Sequence, residues 1–294
     1  MAVMLLDQFK SIVRENVPLA PYTWLQLGGN AKYFAEPVDV EQLQRLVAEA
    51  SRQSIAIRLL GGGSNVLVKD SGFDGLVIQL IAPAFQKISF QGNRVTCGGG
   101  VRLSHLVTAC VANGLAGVEH LVGIPGTVGG ALRANSGTEE GDIGHAVKAA
   151  QMLRRNGDLV DVAGNQLAFS HRRSSLDELA ILEATLELQP GDVKYLTKRE
   201  QTFWILKRSR QPNHPTRSAL AFIDPDGESA GELIHRTGFS GLIEGSVQMN
   251  ATYPNYITAG TGATADQVLV MLDKVKKGVH EKTGVRLQPH LVVW

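Results

Sequence analysis

The sequence predicts an α+β protein in about three subdomains. Three observations carry that prediction. Short apolar runs of strand length are interspersed with amphipathic stretches of helical period. The 32 glycines cluster at the turns between those runs, as GG at Gly28, GGG from Gly61, GGG from Gly98 and the run GIPGTVGGA from Gly123. The 294 residues are enough for two or three units with cores of their own.

In chain order, a first helix is expected over Met4 to Glu15 and a second over Glu41 to Gln53, where Leu43, Leu46, Val47 and Ala50 share one face. IAIRLL reads as a buried strand running into Gly61, and GLVIQL from Gly75 as another. KISFQGN followed by RVTCGGG reads as a hairpin. Arg102 to Ala112 reads as a helix, with Leu103, Leu106, Val107 and Cys110 at helical spacing. QMLRRNGDLVDV carries a hairpin turn at Asn156 and Gly157, and AILEATLEL is a further strand. A boundary is expected at Gln189 to Asp192, followed by an amphipathic helix from Val193 to Arg210. The remainder reads as strand ALAFI, helix SAGELIHRTG, strand NYITA and a helix from Thr264 to Lys282. LQPHLVVW is apolar enough to return to a core as a strand. The expected division is therefore 1–82, 83–192 and 193–285, with 286–294 rejoining the first part.

Composition excludes several function classes. Hydrophobic residues make up 44% and charged residues 19%, an ordinary globular balance. With a formal net charge of +1, no global field draws nucleic acid or an acidic membrane, so an anionic ligand has to be held by a local site. Cys97 and Cys110 are too few for a disulfide framework. MAVMLLDQFKSIVREN lacks the basic start, long apolar core and cleavage site of a signal peptide. No apolar stretch reaches the roughly 20 residues that span a bilayer. The expectation is a cytoplasmic, monomeric protein acting on a small molecule, without a metal site.

RLLGGGSNVLVKDSGFDGLVI is a strand, a glycine turn bearing a hydroxyl and an amide, and a second strand. Such a turn exposes backbone N–H groups without Cβ obstruction, which suits a pyrophosphate. It matches neither dinucleotide pattern with a fixed spacing, so a plain tight turn stands beside that reading. GVEHLVGIPGTVGGALRANSG adds a second loop of the same character, with one φ set by Pro125 and open backbone at Gly126, Gly129 and Gly130. One long ligand with a diphosphate and an aromatic ring fits both. The binding residues implied are Leu60, Gly61, Gly62, Gly63, Ser64, Asn65, Val66 and Leu67 in the first loop. In the second they are Gly123, Ile124, Pro125, Gly126, Thr127, Gly129, Gly130 and Ala131, followed by Asn135 and Gly137.

PYTWLQLGGNAKYFAEP, LLGGGSNVLVKDSGFDGLVI and GIPGTVGGALRANSG resemble, in order and spacing, the FAD-binding half of UDP-N-acetylenolpyruvoylglucosamine reductases. The resemblance continues through FSHRRSSL, KRSRQP, AFIDPDGESAGELIHRTGFSGLIEG, PNYITAGTGATADQV and GVRLQPHLVVW, nearly the whole chain. The short step from AILEATLEL to the next helix is similar to the family's short-loop subtype. The resemblance implies a vanillyl-alcohol-oxidase-type (PCMH-like) FAD-binding fold in two subdomains, with a smaller α+β substrate domain. It also implies noncovalent FAD, NADPH as electron donor, and a UDP-sugar substrate reduced to UDP-N-acetylmuramate in peptidoglycan synthesis.

In that family the reduced flavin gives hydride to the enolpyruvyl double bond and a serine protonates the adjacent carbon. An arginine and a glutamate stabilise charge on the carboxylate side. FSHRRSSL matches the family's Phe-x-Tyr-Arg-x-Ser, which places Arg172 at the catalytic arginine and His171 at the tyrosine. A guanidinium fork holds a carboxylate bidentately; the bland alternative for Arg172 is a surface salt bridge. The family's Gly-Ser-x-Phe-Lys-Asn-Pro is Ala219 to Pro225 here, so Leu220, which has no exchangeable proton, occupies the serine position. Ile223 and Asp224 replace a lysine and an asparagine, and an aspartate near a diphosphate repels it. Ser218 lies two residues away, within reach of a slipped loop, and Ser229 reads as a helix cap.

The family ends in Leu-x-x-Glu-Val, and Leu287 is followed here by Gln288, Pro289 and His290. His290 therefore stands at the glutamate, either as a general acid near neutral pH or as a satisfied polar residue. The family's His-x-Asn-Phe is Tyr253, Pro254, Asn255 and Tyr256. Arg210, Asp224 and Asn255 are the residues implied against the substrate. Matches cluster in the FAD half and losses in the substrate half. Two classes follow: an oxidoreductase, on the family substrate or a less anionic one, with Arg172 and His290 as its polar groups, or a non-catalytic FAD-binding protein.

Overall fold

The computed structural model describes residues 8–212 and 217–294. It divides into two compact units, Met1–Asn16, Tyr33–Gly62 and Asp74–Lys207 in the first and Val17–Lys32, Gly63–Phe73 and Arg208–Trp294 in the second.

The first unit is built around a five-stranded antiparallel sheet in the order Leu159–Ala163, Val147–Leu153, Ala180–Glu187, Arg94–Gly98 and Ile88–Gln91. Both expected hairpins form in it, the second turning at Gly157 with φ +92°. The helix Leu103–Ala112 buries Leu103, Leu106, Val107 and Cys110, the stripe its periodicity marks out, in one cluster with Val95, Cys97, Ile181 and Ala184 of the sheet. Each such side chain contributes roughly 1.5–3 kcal/mol by leaving water. A second sheet runs in the order Val13–Pro18, Asn30–Ala35, Phe73–Ile78, Ile57–Leu59, with the last two parallel. The crossover helix Val40–Arg52 covers it with Leu43, Leu46, Val47 and Ala50, all fully buried. Asp39 caps that helix by accepting from Gln42 N at 2.8 Å.

The N-terminal segment departs from expectation. Residues 4–7 of the expected Met4 to Glu15 helix lie outside the described residues, but Val13–Pro18 is a strand. Its buried residues are Val13 and Val17, four apart, a spacing that places both on one face of a strand. Apolar residues four apart mimic a helical stripe.

The second unit carries a four-stranded antiparallel sheet in the order Ser218–Leu220, Tyr256–Ala259, Val247–Met249, Ile243–Glu244. Ala219, Ile257, Val247, Met249 and Ala259 face the core with the helices Ala230–Arg236 and Ala265–Thr283. Alternation therefore puts Ser218, Leu220, Tyr256 and Thr258 on the opposite face. The expected single strand ALAFI breaks at Ala221, after which Phe222–Ile223 pairs with Gln288–Pro289. The chain ends with Val292–Val293 parallel to Val66–Leu67, and the Trp294 ring packs at 6.1 Å from Phe73. Among the described residues no helix is long and apolar enough to cross a membrane.

The N-terminus of Ala265–Thr283 is closed twice. Thr264 and Gln267 form a reciprocal capping box, and Asp70, distant in sequence, accepts from Ala265 N and Asp266 N at 3.0 Å each. Asp70→Ala should lower stability by ~1 kcal/mol, measured as a shift of the urea midpoint at unchanged slope.

Candidate active site

In the first unit the turn after Ile57–Leu59 meets the loop at 123–130. A Cβ on Gly62 would stand 2.6 Å from the Gly126 Cα, and one on Gly61 2.7 Å from Thr127 Oγ1. The two backbones can lie this close only because these positions carry no side chain. The turn starts from Leu60, whose N–H donates to Ile78 O at 2.9 Å, and the Gln79 amide donates to Gly61 O at 3.3 Å. The opposing loop is anchored by Val128 N to Val101 O at 2.8 Å and Gly129 N to Gly99 O at 2.9 Å. Thr127 accepts from Gly130 N at 3.3 Å and caps Val128–Arg133, under which Ala131 is buried. Gly123, Ile124 and Pro125 keep part of their surface open. Upstream, buried Glu119 accepts from Gly117 N at 2.6 Å and pairs with Arg199 at 3.4 Å, which holds the approach to the loop.

Arg172 is tied to this same region. It occupies, with exposed His171, the two-residue loop of the hairpin Phe169–Ser170 and Arg173–Ser174, and its φ is +57°. A non-glycine residue held there stores strain that its surroundings must hold in place. Asn135, buried and itself at φ +42°, supplies much of that hold: its amide donates to Ser170 O at 2.9 Å and accepts from Gly144 N at 3.1 Å. Ser174 Oγ donates to Arg133 O at 3.0 Å, and Arg172 Nη1 donates to Gly137 O at 3.1 Å. Asn135 and Gly137 thus brace the Arg172 hairpin.

In the second unit Gly63 has φ +66°, and a Cβ there would fall 2.0 Å from Tyr22 O; its own carbonyl accepts from Trp24 N at 3.0 Å. This packing explains why PYTW accompanies the glycine turn. Ser64 and Asn65 follow, both partly buried, and then the strand Val66–Leu67. The Asn65 carbonyl accepts from Val292 N at 2.9 Å, while its Oδ1 is buried with no partner. A buried orphan acceptor beside a glycine turn fits the hydroxyl or amine of a nucleotide cofactor.

Leu220 ends its strand directly opposite Tyr256, and His290 N donates to Ala221 O at 2.9 Å on the other side. Position 290 is thus tied to the main chain at Ala221, next to position 220. Ser218 is 3% exposed, lies within the sheet and shares a hydrogen bond with Thr258 Oγ1 at 3.0 Å, so it is not in a loop that could slip. Asn255 clamps the main chain of Phe222, accepting from its N at 3.0 Å and donating to its O at 2.9 Å. Asp224 accepts from Ala230 N at 2.8 Å, and Ser229 caps the same helix through Glu232 N at 3.4 Å. Arg210 is exposed. Tyr256, visible in the sequence only as an altered motif position, is partly buried, and burial pushes its phenol up to about 12.

Residues 31–163 match the FAD binding domain family, and residues 211–294 match the C-terminal domain of UDP-N-acetylenolpyruvoylglucosamine reductase. The chain is 43% identical over 283 residues to the UDP-N-acetylenolpyruvoylglucosamine reductase of Rhodopirellula baltica, covering 96% of this chain and 93% of the relative. The solved reductase of that name from Thermus caldophilus superposes with a TM-score of 0.83 at 32% identity, over 96% of this chain and 99% of that one. The chain belongs to the UDP-N-acetylenolpyruvoylglucosamine reductase family. Its fold is the vanillyl-alcohol-oxidase-type, PCMH-like FAD-binding fold, and its cofactor is FAD. The glucose dehydrogenase Phl p 4.0202 shares that fold at a TM-score of 0.50 and 16% identity over 64% of this chain, which speaks for the fold alone.

Gly62→Val should separate the two loops and abolish flavin retention while the circular dichroism spectrum stays folded, read as the 450 to 280 nm absorbance ratio after gel filtration. A second expectation concerns His120, whose Nε2 is buried without a partner and whose pKa burial lowers from its ordinary 6.5. Below about pH 6.5 the unfolded chain takes up a proton that the folded chain resists, so stability is lost as pH falls. The urea midpoint should drop from pH 7 to pH 5, and His120→Phe should flatten that drop.

Proposed function

We propose that this chain reduces the enolpyruvyl group of UDP-N-acetylenolpyruvoylglucosamine with NADPH, as a cytoplasmic monomer. The observation that carries the reading is Arg172, held at a left-handed φ in a braced two-residue loop, where the family resemblance expects the catalytic arginine. Such strain is characteristic of functional positions. Bound FAD supplies the hydride chemistry. Leu60–Leu67 and Gly123–Ala131 are the residues that would hold it, with backbone N–H groups toward the diphosphate and Asn65 Oδ1 toward a donor.

The Arg172 guanidinium grips the substrate carboxylate and stabilises the charge that develops beside it. Asn255 acts on the substrate side through the backbone of Phe222 that it clamps, and Asp224 is similarly engaged at Ala230. Arg210 is exposed and is the third residue proposed on the substrate side. Leu220 donates no proton, so the general acid is another residue of this lobe. A second reading, a non-catalytic FAD-binding protein, is favoured by Leu220 and by the internal engagement of Asp224.

Anaerobic rapid mixing separates the two. NADPH should bleach the flavin, and UDP-N-acetylenolpyruvoylglucosamine should restore its colour within seconds. Reduction without substrate-dependent reoxidation rules out this substrate, and no reduction at all favours the non-catalytic reading. Arg172→Lys should lower kcat/KM about 10²-fold with flavin content unchanged.

A further inference from the structure

We propose that Tyr256 is the proton donor of this enzyme, its phenol taking over from the hydroxyl that Leu220 lacks. The inference rests on the reductase reading above and deepens it. Leu220 and Tyr256 are register partners on adjacent antiparallel strands, so their side chains stand side by side on one face of the sheet. That face is fixed by its neighbours. Ser218 and Thr258, the next same-face pair, meet through their hydroxyls at 3.0 Å, while Ala219 and Ile257 between the two pairs are buried in the core behind. The hydroxyl missing at position 220 is thus present one strand away on the same surface.

The Tyr256 ring is steadied by Tyr253, packed edge-on at 6.5 Å, and its main chain is tied at both ends, N to Tyr253 O at 2.8 Å and O from Asn250 N at 2.7 Å. Among the described residues its hydroxyl has no hydrogen-bond partner, so the proton is uncommitted. Burial keeps the phenol protonated at neutral pH. The rivals are placed less well. Ser218 is engaged with Thr258. His290 is tied through its N to Ala221 O, past the end of the strand that carries Leu220, and is no register partner of Leu220.

In the step assigned, one carbon of the enolpyruvyl double bond receives a hydride that originates from NADPH. The adjacent carbon takes the proton from Tyr256 Oη as the π bond is consumed. Solvent then returns a proton to the phenolate, so one NADPH and one proton are used per double bond reduced.

The test compares wild type, Tyr256→Phe and the double variant Leu220→Ser/Tyr256→Phe. In Tyr256→Phe, flavin content, flavin reduction by NADPH and the calorimetric Kd for UDP-N-acetylenolpyruvoylglucosamine should be unchanged, while substrate-dependent reoxidation slows about 10²–10⁴-fold. The double variant, which moves the hydroxyl back across the strand pair, should recover at least part of that loss. A purely structural tyrosine would shift flavin content and Kd and would not be rescued at position 220. Tyr256→Phe reoxidising at the wild-type rate, or loss without rescue, overturns the assignment and leaves the reductase reading intact. A wild-type protein that never reoxidises with substrate overturns both.

Discussion

The direct contact of two backbones, Gly62 against Gly126, is the constraint on which the cofactor lobe depends. A Cβ at Gly61 would stand 2.7 Å from the Thr127 hydroxyl, and one at Gly62 2.6 Å from the Gly126 main chain. No change of side-chain rotamer relieves an overlap with main chain, so the approach is available to glycine alone. Everything around it serves to hold that approach. Strand Ile57–Leu59 delivers one loop and Gly99 and Val101 anchor the other, while the buried Glu119 with Arg199 sets where the second begins. Backbone N–H groups at such a junction carry the binding, so the site needs few charged side chains, in keeping with a chain whose net charge is +1.

A second theme is that several polar side chains near the site work on the protein's own main chain. Asn135 holds the hairpin that carries Arg172, Asn255 holds Phe222, and Asp224 holds the start of Ala230–Arg236. Each places a functional neighbour by satisfying backbone groups that burial would otherwise leave unpaired. Their amides and carboxylate are thereby spent on positioning. The groups proposed for the chemistry are Arg172, Asn65 Oδ1 and the Tyr256 phenol.

Much of this was legible in the sequence. Leu43, Leu46, Val47 and Ala50, or Leu103, Leu106, Val107 and Cys110, are buried as their spacing requires, because a helix that must bury a stripe repeats it every three to four residues. The glycine runs mark the loops that meet. The strand Val13–Pro18 was not legible, since two buried valines four apart fit one face of a strand and one face of a helix alike. Nor was the break of ALAFI at Ala221, because the two halves pair with partners about 35 and 65 residues away that leave no local trace.

The order of residues alone settled the family and the cofactor class, since these rest on residue identity at fixed spacing. Register belongs to the tertiary structure. Only strand pairing sets Tyr256 beside Leu220, turns Ser218 toward Thr258 and puts His290 opposite Ala221. The physical reason is that a one-residue slip of a strand exchanges its two faces, and pairing across some 35 residues is chosen by the packing of the whole sheet and not by the segments themselves.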